Sequence, residues 1–331
     1  MEKGMKIGKV PETVLKRSVL KYVRQKNQNE IPPAVGNDAG VFVWNDRSTA
    51  VSTQTVIGEG IKTGELAVLR AINSVVASGA VPKQVTLAVT VPETMLENAL
   101  RQLMSCVQNV CQVHNVIVAG GHTTVSKEVS EPIVCVTALG VVEQIFSKQD
   151  ITGAKIVMTK WCGMCGTALL AERYEEALCT RYTKRFIGGA KTFWKQLSVQ
   201  KEAMLARNFD VLYMHDASEG GIFGALWELG EQADCGMDIT IRKIPMRQET
   251  VEICEYFDCN PYQLRAEGSL LLVTRHAEEL CEHLKKEGIP ATVIGTLKEG
   301  RERRIWNEEE VRFLEPNRVE EYDSVRYKNV M

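Results

Sequence analysis

Apolar residues recur along this chain with two periods, and the switches between them predict its elements. Val14, Leu15, Val19, Leu20 and Val23 follow Pro11 at helical spacing, and proline suits a helix's first turn. Lys26 to Pro33 is polar and reads as a linker. Val41 to Trp44 and Thr49 to Thr55 predict two strands joined by the turn Asn45-Asp46-Arg47. From Thr63 to Ser78 the pattern is helical and nearly all apolar, which predicts a buried helix that Gly79 ends. Gln84 to Val91 alternates as a strand. Glu93 to Cys111 carries Leu96, Leu100, Leu103, Val107 and Val110 on one helical stripe. Val116 to Ala119 predicts a strand delivering Gly120-Gly121-His122 at its end, and Ile133 to Val142 predicts another. Together these make an α+β layer with helices on one face of a sheet.

A second unit begins near Asp150. It is expected to hold strands at Ile156–Thr159, Val211–Met214, Met237–Ile241, Leu270–Thr274 and Thr292–Leu297. Helices are expected at Thr167–Ala177, Gln248–Phe257 and Ala277–Glu287. Glu175 to Ser198 is basic, rich in aromatics and without a clear period, and is expected to be irregular. From Lys298 on the chain is highly charged. The domain boundaries that follow are 1–150 and 151–331. The sequence has no internal repeat and no low-complexity tract.

Composition changes this picture little. A length of 331 residues suits two domains, and 44% hydrophobic with 25% charged residues is ordinary for a globular chain. A net charge of -2 argues against a general nucleic-acid binder, and the basic first thirty residues read as a solvated helix face. No run approaches about 18 apolar residues, and the N-terminus lacks the apolar core of a signal peptide. The expectation is a cytoplasmic protein with no membrane partner. Its ten cysteines would then be reduced. Cys106, Cys111, Cys135, Cys179, Cys235, Cys254 and Cys281 lie in apolar or helical contexts that suit packing.

The stretch that carries candidate chemistry is Met214-His215-Asp216-Ala217-Ser218-Glu219-Gly220-Gly221. An apolar run precedes it, and Phe223, Leu226, Leu229 and Ala233 follow at helical spacing, so the chain reads strand, turn, helix. Asp216 and Ser218 would cap the helix entrance, and Gly220 and Gly221 would let a backbone or a ligand approach.

This turn resembles the His-Asp-x-(Thr/Ser)-(Glu/Arg)-Gly-Gly motif of the aminoimidazole ribonucleotide (AIR) synthetase superfamily. Further matches follow in order. Gly36-Asn37-Asp38-Ala39-Gly40 is similar to the family's Gly-(Asp/Glu)-Asp-Ala-Ala, Gly120-Gly121-His122-Thr123 to its Gly-Gly-(Asp/His)-Thr, and Glu267-Gly268-Ser269-Leu270-Leu271 to its late strand entry. With the opening Gly8-Lys9-Val10-Pro11, they point to the AIR-synthase-related branch that is similar to the hydrogenase-maturation dehydratase. The resemblance runs from about Gly8 to Gly295.

It implies a two-domain α+β fold, with an N-terminal domain that forms a dimeric β-barrel and a C-terminal α/β sandwich domain. It implies an ATP site in the cleft between the domains, with carboxylates holding magnesium ions that bridge the phosphates. The residues it assigns to a nucleotide or small phosphorylated ligand are Asp38, Gly120, Gly121, His122, Thr123, His215, Asp216, Ser218, Glu219, Gly220, Gly221 and Glu267. The partners it implies are a second copy of the chain and a maturation partner protein.

The sequence departs from the family at its metal-binding acids. Asn37 stands beside Asp38, Gln54 ends the second strand, Asn73-Ser74 lies in the first long helix, and Thr124 follows Gly-Gly-His-Thr. Four positions that are usually acidic are neutral, and Asp38 is the metal-binding carboxylate left; Glu59 and Glu65 are the alternative acids. Neutral ligands give up the Coulomb attraction for magnesium, so ATPase chemistry is expected to be weakened. The dehydratase ends in a cysteine that carries its substrate, whereas this sequence ends in Val330-Met331, which argues against that reaction.

A third departure is Trp161-Cys162-Gly163-Met164-Cys165-Gly166, a CxxC between a predicted strand and helix. Three readings stand: a redox pair activated by a helix N-terminus, half of a zinc site, or two small residues packed in a turn. No second CxxC or suitable histidine pair accompanies it, and Cys254 and Cys259 fall on a predicted helix. Three functions follow: a hydrogenase-maturation-like nucleotide binder with weakened ATPase activity, an inactive binding or regulatory protein on the same scaffold, or a thiol-redox protein at Cys162 and Cys165.

Overall fold

The computed structural model describes residues 8–23, 29–146, 151, 153–316 and 320–328. Residues 26–28 of the predicted linker and the terminal Val330-Met331 lie outside the described residues, while Asn29–Ile31 of that linker forms a short strand. Helix α1 spans residues 12–23, and its middle, Lys16–Leu20, is wound as a π-helix. The chain divides into two units. One comprises Gln25–Pro32 and Asp38–Ile145; the other comprises Met1–Arg24, Pro33–Asn37 and Phe146–Met331. The first residues and the stretch 33–37 therefore belong with the later part of the chain rather than with residues 38–145. The contacts of α1 described below show why.

The smaller unit holds β1 (Asn29–Ile31), β2 (Gly40–Trp44), β3 (Arg47–Ile57), α2 (Thr63–Ala77), β4 (Ala80–Pro92), α3 (Glu97–Val113), β5 (Ile117–Ser126) and β6 (Ile133–Val142). Its sheet runs β1-β2-β3-β6-β4-β5, with β4 and β5 the parallel pair. Helix α2 lies against β3, β4, β6 and α3. It is apolar almost all round because it is buried almost all round, and Thr63, Arg70, Asn73 and Ser74 are its buried polar side chains. The β2–β3 hairpin turns through Asn45 and Asp46 at φ 50° and 60°, the paired positive angles that a type I′ turn requires. The stripe predicted from Glu93 starts later: residues 93–96 are a turn, and the helix begins at Glu97.

The larger unit holds β7 (Lys155–Thr159), α4 (Met164–Arg173), α5 (Glu175–Leu178), α6 (Lys184–Lys191), α7 (Gln200–Ala206), β8 (Val211–Asp216), α8 (Gly221–Ala233), β9 (Gly236–Thr240), α9 (Gln248–Phe257), β10 (Leu270–Thr274), α10 (Ala277–Lys286), β11 (Ala291–Lys298), β12 (Arg303–Asn307), β13 (Glu310–Phe313) and α11 (Glu321–Lys328). Its sheet runs β13-β12-β9-β11-β7-β10-β8, antiparallel except between β9 and β12. Ile156, Met158, Leu271, Val273, Ile294 and Leu297 from the sheet pack with Ile222, Leu226 and Leu229 from α8.

Two expectations change. The segment 175–198 is helical, because Thr183 caps α6 through Phe186 N–H and Ile187, Ala190, Phe193 and Trp194 face the interior. The charged stretch after Lys298 forms two strands, in which Arg303 and Ile305 are buried and their neighbours are not. Neither sheet is closed into a barrel among the described residues. No helix among them is long and apolar enough to cross a membrane.

Candidate functional site

In the smaller unit, two of the positions expected to bind metal, Gln54 and Ser74, form a neutral hydrogen-bonded group with Ser52. The Gln54 amide Nε2 donates to the Ser74 hydroxyl at 3.2 Å and to the Ser52 hydroxyl at 3.4 Å. Ser52 in turn donates to the backbone carbonyl of Asp38 at 3.0 Å. The strand β3 and helix α2 meet here because alternate residues of β3 face the helix. Magnesium requires oxygen ligands in octahedral array, and charge on them supplies most of the attraction. The Gln54 N–H groups point at the two hydroxyls instead, so this group does not fit a magnesium ion. No three histidine, cysteine or acidic side chains are grouped to hold a metal among the described residues. Arg70, missed in the sequence reading, is 3% exposed and donates from Nη1 to the Thr55 carbonyl at 3.4 Å. An arginine inside an otherwise apolar helix was the signal for it.

Gly120-Gly121-His122-Thr123 does not sit in a turn at a strand end. It lies within β5, paired in parallel with Thr86 to Val89, after a bulge at Ala119. The strand continues because β4 offers an unbroken ladder beyond Ala119. All four residues are exposed. A Cβ on Gly121 would lie 2.4 Å from the Leu87 carbonyl, so close backbone approach explains this glycine.

In the larger unit, His215 and Asp216 belong to β8 itself, pairing with Leu271 and Leu270, and both are buried. The expected side-chain caps are absent from α8. Its N-cap is Gly220 in the left-handed region, with no side-chain cap bond. The Ser218 carbonyl instead accepts from Gly221 and Ala266 N–H groups at 3.1 and 3.2 Å. The segment 261–266 closes this helix entrance: the Tyr262 carbonyl accepts from Phe223 N–H at 3.0 Å, and a Cβ on Gly221 would lie 2.5 Å from that same carbonyl.

The same segment covers α4. Gly166 N–H donates to the Arg265 carbonyl at 3.0 Å, and Leu264 lies over Gly166. Helix α4 starts at Met164, earlier than expected, with Gly163 left-handed at its N-cap. Cys162 and Cys165 are both fully buried. Burial pushes the Cys162 thiol well above its ordinary pKa, and its Sγ donates to the Pro261 carbonyl at 3.2 Å. A helix N-terminus stabilises a thiolate only where the anion stays near water. Of the three readings of this CxxC, the burial of both thiols favours two small residues packed in a turn.

Arg265 anchors the covering segment. Its guanidinium, 6% exposed, pairs with Glu320 at 3.1 Å, Asp323 at 3.3 Å and Glu219 at 3.8 Å, and lies over the Tyr322 ring. Burial raises the Glu320 pKa to about 7 against the opposing pull of Arg265. Glu267 is fully buried beside this group, and Arg265 feels its charge. Ser269 ties the segment to the turn after β7, donating to the Trp161 carbonyl at 2.8 Å. In that turn Lys160 is left-handed and buried, bonded to Gln196 and Ser198 carbonyls and paired with Glu202 at 2.6 Å. Desolvation lowers its pKa against the pull of Glu202.

Behind the β8 turn, His215 Nε2 meets Glu228 of α8 at 3.2 Å, and Lys9 pairs with the same carboxylate. Lys16 pairs with Glu231 at 3.1 Å, and Trp227 Nε1 donates to Glu12 at 2.9 Å, so α1 is fastened along α8. Gly36 packs on α8 too, where a Cβ would lie 2.4 Å from the Glu228 carbonyl. The cavity lined by Lys9, Glu12, Glu219, Trp227 and Glu228 measures about 60 Å³, room for waters but not for a nucleotide.

Residues 36–142 match the model of the AIR synthase related protein N-terminal domain, and residues 152–307 that of its C-terminal domain. The chain belongs to the AIR-synthase-related family. It is 24% identical over 307 residues to a protein of Methanocaldococcus jannaschii named for hydrogenase expression and formation, covering 87% of this chain and 88% of that one. It is 26% identical over 307 residues to carbamoyl dehydratase HypE of Azotobacter vinelandii, covering 89% and 85%. Among solved structures, the hydrogenase maturation protein HypE in complex with ATP superposes with a TM-score of 0.70 at 16% identity, over 97% of this chain and 98% of that one. A chain of a HypE–HypF complex superposes with a TM-score of 0.69 at 18% identity, over 85% of this chain and 93% of that one. These likenesses establish the α+β fold with two sheets that the AIR-synthase-related motifs implied.

Proposed function

We propose that this protein is a hydrogenase-maturation-like member of its family that binds ATP or another phosphorylated ligand, with metal-dependent ATPase chemistry weakened. Relatives named for hydrogenase maturation and a fold neighbour that binds ATP support the first part. The hydrogen-bonded Ser52, Gln54 and Ser74 group carries the second. Phosphoryl transfer depends on metal charge that bridges the phosphates, and amide and hydroxyl groups spent on one another cannot hold it. The ligand residues of this reading are Asp38, Gly120, Gly121, His122, Thr123, His215, Asp216, Ser218, Glu219, Gly220, Gly221 and Glu267. Those of the larger unit act mainly through backbone shape and through the Arg265 network, since His215, Asp216 and Glu267 are buried. By analogy with the HypE–HypF complex, a maturation partner protein is part of this reading, as is a second copy of the chain.

The deciding experiment is calorimetric titration with ATP, with and without magnesium. The reading expects measurable nucleotide binding that magnesium changes little, and very slow hydrolysis. Tight, strictly magnesium-dependent binding sinks the weakened-metal part. No binding of ATP or of simpler phosphates in either condition leaves an inactive binding or regulatory protein on the same scaffold.

A further inference from the structure

The thiols that the structure brings together are not those of the CxxC. Helix α9 ends at Phe257, and Asp258 follows in the left-handed region at φ 50°. Cys259 N–H donates to the Cys254 carbonyl at 3.0 Å, and Asp258 N–H donates to the Glu255 carbonyl at 3.3 Å. These two bonds define the helix C-cap in which the residue three before the last helical one meets the second residue beyond it, a contact usually made by apolar side chains. Here both partners are cysteines, and the cap brings their side chains close enough to interact. Cys254 is buried, whereas Cys259 is partly exposed. Cys259 is thus the more accessible of the two.

We propose that Cys254 and Cys259 are an oxidative modification site, at which a peroxide-class oxidant converts the thiol pair to a disulfide. This goes beyond the nucleotide reading and does not depend on it. The chemistry follows from the exposure of each sulfur. The Cys259 thiolate attacks the peroxide O–O bond, becomes a sulfenic acid and releases hydroxide, which takes a proton and leaves as water. The Cys254 sulfur, giving up its proton, then displaces the sulfenic hydroxyl as a second water. Two thiols and one peroxide give one disulfide and two waters, and the two electrons from sulfur reduce the peroxide. Burial makes Cys254 the second to react, and its interaction with Cys259, followed by that burial, raises its pKa. Cys162 lies close enough for its charge to act on Cys254, but its Sγ is turned to the Pro261 carbonyl. The new ring would tie the end of α9 to the root of the segment 261–266 that covers the α4 and α8 entrances.

The test treats the reduced full-length chain with hydrogen peroxide, unfolds it, alkylates the remaining thiols and maps them by mass spectrometry. The expected result is loss of two of the ten alkylatable thiols and of two mass units from the segment holding Cys254 and Cys259. Chymotryptic cleavage after Tyr256 or Phe257 should leave two pieces joined through sulfur. In Cys254→Ser, a sulfenic acid should accumulate on Cys259 and be trapped by dimedone; in Cys259→Ser, Cys254 should stay a thiol. Ten alkylatable thiols after peroxide overturn the proposal, as does linkage of either cysteine to Cys162 or to another chain. Should a variant fail to fold by circular dichroism, the linkage map of the unaltered chain decides alone.

Discussion

The Gln54 amide donates to the Ser74 hydroxyl at 3.2 Å, joining a strand and a helix at two positions where an acid would face a metal ion. An amide turned toward hydroxyls presents N–H rather than oxygen. The expectation is that Asn37→Asp, Gln54→Asp and Ser74→Asp combined tighten magnesium-nucleotide binding by about tenfold or more, roughly 1.4 kcal/mol. Titration calorimetry of the triple variant checks this. No gain with magnesium would show that these are not the lost ligands.

Arg265 should be among the most sensitive positions in the larger unit. Arg265→Ala leaves Glu320 buried without its cation, and breaking such a pair costs roughly 3–5 kcal/mol. The loss should depend on pH in a defined direction. With a folded pKa of about 7, Glu320 is largely neutral at pH 5 and charged at pH 8, so the variant should lose less stability at pH 5. Urea unfolding at the two pH values measures the difference; an equal loss at both would count against the assignment.

Glu228 is shifted in the opposite direction, so its effect fades at lower pH than that of Glu320. Burial alone would raise its pKa, but the Lys9 charge and His215 outweigh that and hold it at about 2. Its unfolded value is near 4.3, so the ionised carboxylate contributes stability above about pH 4.3 and loses it as pH falls through about 2. Glu228→Gln should cost about 1–2 kcal/mol at pH 6 and progressively less below pH 4. A deficit that persists unchanged at pH 2.5 in thermal or urea melts would mean that the charge is not what stabilises.

The smaller unit exposes a sheet edge. Ile117, Val118 and Val125 of β5 are 66%, 36% and 63% exposed, on a strand paired on one side among the described residues. Such an edge is an invitation to association, and homodimerisation through this unit is the proposed cover. Sedimentation should show a dimer at micromolar concentration, and Val125→Lys should shift it toward monomer. A stable monomer of the unaltered chain removes the proposal.

Much of the fold was legible because its signals are local. The buried helix at 63–77, the strand at 133–142 and the helix at 248–257 follow from periodicity and from the glycines and prolines that bound them. The strands at 303–307 and 310–313 were not legible, since Arg303 is buried only because Glu231 pairs with it and Trp227 lies beneath it. The helices between 175 and 198 hid for a related reason: their charged and aromatic residues find partners that no local period announces.

Chemistry divides in the same way. The sequence by itself determined the family motifs and the neutral side chains of Asn37, Gln54 and Ser74, because residue identity decides how much charge a site can present. It also supplied the ten cysteines, but their identity could not say which of them meet. The fold decided that Cys162 and Cys165 are sealed under Leu264 and Pro261, and that a left-handed Asp258 turns Cys259 back onto Cys254. It also decided that Arg265 and the acids from 320 and 323 share one buried site. Thiol reactivity and buried charge depend on desolvation and on neighbours distant in the chain, and those exist only once the chain has folded.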